Sequence, residues 1–118
     1  MDPVQLDDAL ASLEGPWSPL TVATVNDYDV RVVKTQGEFT RHSHPETDEL
    51  FLVLSGSLTI RMDAGDVTLG PGELYVVPRG VLHQPWSEGG ASVLLLEPSA
   101  TVNTGDTPSE LTAERRAL

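Results

Sequence analysis

The chain has 118 residues, no cysteine, and seven Lys+Arg against eighteen Asp+Glu, for a net charge of −11. A length near 120 fits one domain. The acidic balance excludes a nucleic-acid-binding surface, because Arg31, Lys34, Arg41, Arg61 and Arg79 stand singly and only Arg115 and Arg116 adjoin. Without cysteine there is no disulfide framework, thiolate metal site or thiol nucleophile. Met1–Gly15 holds Asp2, Asp7, Asp8 and Glu14 with no basic residue, unlike a secretory leader. No apolar run approaches the ~20 residues of a membrane span. These features predict a soluble, cytoplasmic chain with neither a nucleic-acid nor a membrane partner.

In chain order, Asp2-Pro3-Val4-Gln5 reads as a helix start, with Asp as N-cap, Pro at the first helical position and Gln three residues on. Leu6, Leu10 and Leu13 follow at helical spacing and Gly15-Pro16 stops the run, which predicts a helix over about 3–14. From there to about residue 98 the signals are those of strands. Val30, Val32 and Val33 form a β-branched run, and Leu58, Ile60 and Met62 alternate with Thr59, Arg61 and Asp63. Short apolar runs at Val67–Leu69, Leu74–Val77 and Ser92–Leu96 are separated by Gly and Pro turns. Many short strands with regular turn signals predict an all-β sandwich or barrel, with its core over about 20–98. The remainder, about 99–118, is a polar tail in which Thr107-Pro108-Ser109-Glu110 repeats the capping pattern and predicts a last short helix.

Leu50–Leu54 is apolar at every position, whereas a strand with one solvated face alternates. Phe51 and Val53 share a face with Glu49, and Leu50, Leu52 and Leu54 share the other. If the first face lines the interior, a second subunit or a terminal helix must cover the second. This predicts a homodimer.

All three histidines fall where a metal site needs them. His42 and His44 are two apart, so on a strand both rings point to one face. Glu49 follows across the polar turn Pro45–Asp48, and His83 comes just past Pro78-Arg79-Gly80. Taken singly, a His-x-His pair or a lone His is more often an ordinary polar residue. Together with a carboxylate entering a fully apolar strand, the four read as a ligand set, because a buried carboxylate needs a partner to offset its desolvation. Three imidazoles and one carboxylate suit one divalent transition metal: Fe, Mn, Ni, Zn or Cu.

The stretch Gly37–Gly56 carries a glycine, His42-Ser43-His44, Glu49 and Gly56, and it resembles the first conserved motif of the cupin superfamily. Gly72, Pro78, Gly80 and His83 keep the spacing Gly-x5-Pro-x-Gly-x2-His and resemble the second motif. Only 15 residues, Ser57–Pro71, separate the two, as in compact single-domain microbial cupins. There are two departures: four residues rather than five lie between Gly37 and His42, and Ser87 stands where an Asn is expected. Neither position supplies a ligand in the pattern. The resemblance implies a jelly-roll barrel, or double-stranded β-helix, in which His42, His44, Glu49 and His83 bind one metal. It implies a metal-dependent enzyme of oxygenase or isomerase type, or a non-catalytic sensor or binding module, and hardly distinguishes them.

Gln84 and Trp86, just past His83, and Tyr75 are the candidates for lining the pocket. Alternation places Arg31, Arg41 and Arg61 away from the interior and Arg79 in a turn, so only Lys34 is expected to point inward. A phosphorylated substrate needs cationic groups near the metal. The expected ligand is therefore a small, weakly charged oxygenated molecule such as a diol, hydroxyketone or catechol-like compound.

Overall fold

A computed structural model describes residues 2–118, in which one helix and eight strands follow in chain order. They are α1 (Leu6–Ala11), β1 (Leu20–Val25), β2 (Tyr28–Glu38), β3 (Glu49–Gly56), β4 (Leu58–Met62), β5 (Val67–Leu69), β6 (Leu74–Val77), β7 (His83–Pro98) and β8 (Arg116–Ala117). The sheet runs β5-β4-β7-β2-β1-β8, with β3 pairing β7 and β6. All pairs are antiparallel except β1 with β8. Among the described residues, no helix is long and apolar enough to cross a membrane.

β7 organises the sheet. One edge pairs with β2 from Trp86 to Pro98, while the other pairs β4 through His83–Trp86 and then β3 through Ala91–Leu96. Gly56 makes this exchange of partners possible. It lies at φ +79°, and a Cβ there would collide with Gly90 O and come 2.8 Å from Ala91 Cα. The curled sheet gathers Val33, Phe51, Val53, Leu58, Ile60, Leu69, Val77, Val93 and Leu95 into one core. Glu49 shares the buried face of Phe51 and Val53, as alternation predicts.

The terminal elements differ from their sequence signals. The helix begins at Leu6 with Gln5 as N-cap and no side-chain cap, so Asp2 and Pro3 precede it. Packing of Ala9, Leu10 and Leu13 against Leu20, Val22 and Val32 places this helix, as is usual for one too short to be stable alone. No helix forms at 107–114. Thr107 Oγ1 donates to Asp106, Asn103 bonds Leu111 O and Ala113 N, and the segment runs as turns into β8.

The inward face of β2 is also reversed from the expectation. Asp29, Arg31, Val33 and Thr35 are buried inside the sheet, while Lys34 is half-buried on the outer face. The reason is α1: it covers Val32 on the outside, so an apolar outer face looks like an inner one in the sequence. Leu54 and Val30 also pack against this helix cluster, whereas Leu50 and Leu52 stay half-buried and Leu74 and Val76 are exposed.

Arg31 is 4% exposed and uses every donor nitrogen. It reaches Asp29 Oδ2 at 3.1 Å and Glu97 Oε1 at 2.8 Å, and donates to Ser99 O and Thr101 O, both at 3.0 Å. Asp29 also accepts from Arg115, Thr21 and Ser99. The Arg115 guanidinium beside it, helped by Ser99, Thr21 and Arg31, holds its carboxyl far below the usual range despite burial. Such a depressed carboxylate adds stability above its unfolded pKa near 4 and loses it as acid protonates the folded form. Asp29→Asn should lower the unfolding free energy by about 3–5 kcal/mol at neutral pH, because it strands the Arg31 charge. In urea titrations the gap to the native chain should hold steady from pH 7 to about pH 5 and shrink on further acidification; a gap independent of pH would contradict this assignment.

Candidate metal centre

The four predicted ligands come together from three separate parts of the sheet. His42 lies in the link between β2 and β3, where it makes an isolated bridge to His83 at the start of β7. His42 N–H donates to His83 O at 2.9 Å and His83 N–H to His42 O at 2.8 Å. Glu49 is the first residue of β3, paired with Val77. One ligand atom from each of His42, His44, Glu49 and His83 lies within 4.8 Å of all the others, and all four side chains are buried. His42 Nε2 is 3.2 Å from His44 Nε2, and Glu49 Oε1 is 3.3 Å from His44 Nε2 and 3.5 Å from His83 Nε2.

Two rings are fixed by backbone carbonyls. His42 Nδ1 donates to Thr40 O at 2.7 Å and His83 Nδ1 to Val81 O at 2.9 Å. Because a carbonyl only accepts, each neutral ring carries its proton on Nδ1 and turns a free Nε2 lone pair to the centre. Burial, with the neighbouring His83, pushes His42 down to about 4, so it is neutral at pH 7. His83 Nε2 and Glu49 Oε1 are buried with no hydrogen-bond partner, an arrangement costing about 1–3 kcal/mol per group if left so. A divalent cation held by three nitrogens and one carboxylate satisfies both, and the donor set fits one.

Glu97 completes the centre and was not among the sequence candidates. It is 1% exposed, faces Glu49 and is gripped from behind by Arg31. Burial, then the Glu49 charge, raises its carboxyl well above the ordinary range. Burial also pushes Glu49 up, but its polar neighbours Glu97, His44 and His83 outweigh it and hold Glu49 low. The two carboxyls are thus pushed in opposite directions, Glu97 toward its protonated form and Glu49 toward its charged one. Alternation counted from Val93 and Leu95 puts Glu97 on the inner face, so the signal for it was present in β7.

The pocket candidates lie elsewhere. Strand alternation from His83 turns Pro85 and Ser87 inward and leaves Gln84 and Trp86 half-buried on the other face. Gln84 Nε2 donates to Phe39 O at 3.1 Å, and Trp86 lies 4.6 Å from the Arg61 guanidinium. Tyr75 packs at the edge of the core. Ser87, the departure from the second motif, is 1% exposed and donates to Ser57 O at 2.7 Å, so its polar group is satisfied.

A cavity of about 30 Å³ adjoins His42, Glu49 and Glu97, walled by Trp17, Phe39, Phe51, Leu58, Leu95 and Asn103 among others. That volume holds about two waters. Trp17 closes it at φ +64°, a left-handed conformation costing roughly 1–2 kcal/mol for a residue with a Cβ. Its backbone N–H to Lys34 O and indole N–H to Gln36 O, both 2.8 Å, and stacking on Phe39 at 4.7 Å hold it there.

The cupin domain profile matches residues 29–99. Uncharacterized protein YdbB of Bacillus subtilis (strain 168) is 37% identical over 65 residues, which cover 54% of this chain and 58% of that protein. The chain therefore spans little more than half the length of that curated relative. The crystal structure of a cupin-2 domain containing protein from Shewanella frigidimarina NCIMB 400 is 38% identical, with a TM-score of 0.79, covering 80% of this chain and 93% of that one. Hydroquinone 1,2-dioxygenase from Sphingomonas sp. TTNP3, solved with 4-hydroxybenzoate bound, shares the fold at a TM-score of 0.70 and 15% identity, covering 80% of this chain and 72% of that one.

The protonation state of Glu97 has a direct test. Glu97→Gln keeps an acceptor for Arg31 and supplies an amide donor to Glu49, so it should cost about 1 kcal/mol. Glu97→Leu strands both neighbours and should cost about 3–5 kcal/mol in chemical denaturation. Equal losses would mean that Glu97 is ionised.

Proposed function

The chain belongs to the cupin family, and from that premise we propose that it is a metal-dependent enzyme acting on a small, weakly charged oxygenated molecule, by oxygenase-type or isomerase-type chemistry. The observation that carries this reading is the buried cluster of four donor atoms within 4.8 Å, two of them without partners, beside an apolar cavity. His42, His44, Glu49 and His83 would hold one divalent transition metal. When bound, such a metal polarises a hydroxyl or carbonyl at its open positions.

The residues around it supply the rest. Thr40 O and Val81 O keep two rings aimed at the centre, and Glu97 keeps Glu49 oriented. Phe51, Leu58 and Leu95 line the cavity with apolar surface, which lowers the local dielectric and strengthens polar contacts made inside it. Arg31 is spent on Asp29, Glu97 and two carbonyls, so the interior offers no free cation to a phosphate group. That favours a diol, hydroxyketone or catechol-like ligand, and the fold shared with a hydroquinone dioxygenase is in keeping with it. The smallness of the cavity, about 30 Å³, favours the second reading, a non-catalytic module that binds a small molecule.

Protein purified without chelator should contain about one metal per chain by mass spectrometry, and His83→Ala should lose it; a native chain that takes up no metal would remove the basis of this reading. Oxygen consumption by iron-loaded protein over catechols, together with product analysis over hydroxyketones, separates the two readings. Turnover with any of them supports the enzyme, and a flat response favours the binding module.

We propose also that the outer face of β3, β6 and β7 packs on a second copy. Val76, Leu50 and Leu96 form one cross-strand row and Leu74, Leu52 and Leu94 the next, with no charge among them. Light scattering should give twice the 12.7 kDa chain mass, and Leu52→Glu should return the monomer. A monomeric native chain would refute the dimer.

A further inference from the structure

The two histidines of the His-x-His pair point to one face only while the backbone between them stays extended. His42 pairs its backbone with His83, and His44 O accepts from Gly80 N–H at 2.9 Å, but neither contact reaches Ser43 between them. His42 makes a single bridge to His83, and neither Ser43 nor His44 lies in a strand. The backbone of Ser43 is instead held by the C-terminal tail, 63 residues away. Asp106 Oδ1 accepts from Ser43 N–H at 2.9 Å, Asp106 Oδ2 accepts from Ser43 Oγ at 3.0 Å, and Asp106 N–H donates to Ser43 O at 3.0 Å. One residue thus takes the place of a neighbouring strand, pairing both backbone groups of Ser43 and its hydroxyl as well.

The approach is close enough to constrain the tail. Gly105 lies at φ +55°, and a Cβ there would collide with Ser43 O and come 2.9 Å from His42 Cδ2. The tail is anchored on either side of this contact. Asn103 bonds Trp17 O, Leu111 O and Ala113 N, and Arg115 reaches Asp29 at 2.8 Å. None of this belongs to the cupin profile, which ends at residue 99.

We infer that Asp106 is a positioning residue for the metal centre: by gripping Ser43 it holds His42 and His44 on one face and sets how tightly the centre binds. The inference rests on the metal-centre reading for its affinity, but its geometric part can be read without metal. Partners that orient ligands from outside the coordination shell typically contribute a factor of roughly 10–100 in affinity.

Three measurements test it on the full chain: cobalt(II) affinity by chelator competition, the cobalt d–d absorption spectrum, and the imidazole ¹H–¹⁵N correlations of the metal-free protein. Asp106→Ala should weaken cobalt binding about tenfold or more, change the d–d bands and move the His42 and His44 ring signals. Both variants keep the backbone N–H that donates to Ser43 O, but Asp106→Asn also retains the acceptor for Ser43 N–H and offers an amide donor to Ser43 Oγ, and should restore most of the affinity and the native spectrum. An Ala variant with native ring signals overturns the proposal, whatever happens to its melting temperature. If the native chain binds no cobalt yet its ring signals still move in Asp106→Ala, the metal reading fails and the positioning role stands. Should the Ala variant fail to fold, Asp106→Asn decides, since ring signals far from native there would also overturn the proposal.

Discussion

An arginine buried at 4% exposure cannot remain unpaired, and much of this molecule is arranged around Arg31. It is paired with Asp29, two residues away on β2, and with Glu97 on the neighbouring β7. Its remaining donors need acceptors, and those are carbonyls of the chain just after β7, at Ser99 and Thr101. The guanidinium therefore fixes where the tail starts its path back across the sheet. Asp29, paired with Arg31, then captures Arg115 near the far end of that path. In between, the tail passes the His42–His44 segment. The same charge also holds Glu97 against Glu49. One buried cation thus reaches the ligand cluster by two routes, through a carboxyl pair and through the tail.

How much of this was legible in the sequence depended on whether a signal was local and periodic. The convergence of His42, His44, Glu49 and His83 into one buried cluster could be anticipated because alternation with period two relates His42 to His44, and glycine and proline turns bracket Glu49 and His83. Arg31 and Glu97 have the same alternation but were masked by their surroundings. Val30 and Val32 look like an inner face because α1 covers them outside, which sends Arg31 to the wrong side on paper. Glu97 follows three leucines of which only Leu95 faces inward, so apolarity alone gives no phase. Gln84 neighbours His83 in sequence, but neighbours on a strand face opposite ways, so Gln84 and, two residues on, Trp86 lie half-buried on the face away from His83.

The terminal elements were misread differently. The patterns Asp2-Pro3-Val4-Gln5 and Thr107-Pro108-Ser109-Glu110 are helix-start signals worth about 1 kcal/mol each, and tertiary contacts outweigh that. α1 is placed by Ala9 and Leu10, with Leu13 just beyond its end, packing against β1 and β2. The 107–112 segment remains a turn because Asn103 and Thr104 bond Leu111, Ala113 and Thr112. Those partners cannot be deduced from a capping motif.

Charge bookkeeping at the centre also changes how the overall −11 bears on substrate choice. Exposed acidic groups are screened over about 10 Å at ordinary salt, so they say little about a buried cluster beside a cavity walled by Trp17, Phe39 and Asn103. Inside, Asp29 offsets Arg31, while Glu97 is held toward its protonated form and Glu49 toward its charged one. A divalent cation beside Glu49 and three neutral imidazoles would leave one positive charge uncompensated, which suits a neutral chelator or one that gives up a single proton. A phosphate brings nearly two charges and needs donors that Arg31 no longer has to offer. The case against a phosphorylated ligand therefore rests on one fully occupied guanidinium, and would hold on a surface of any charge.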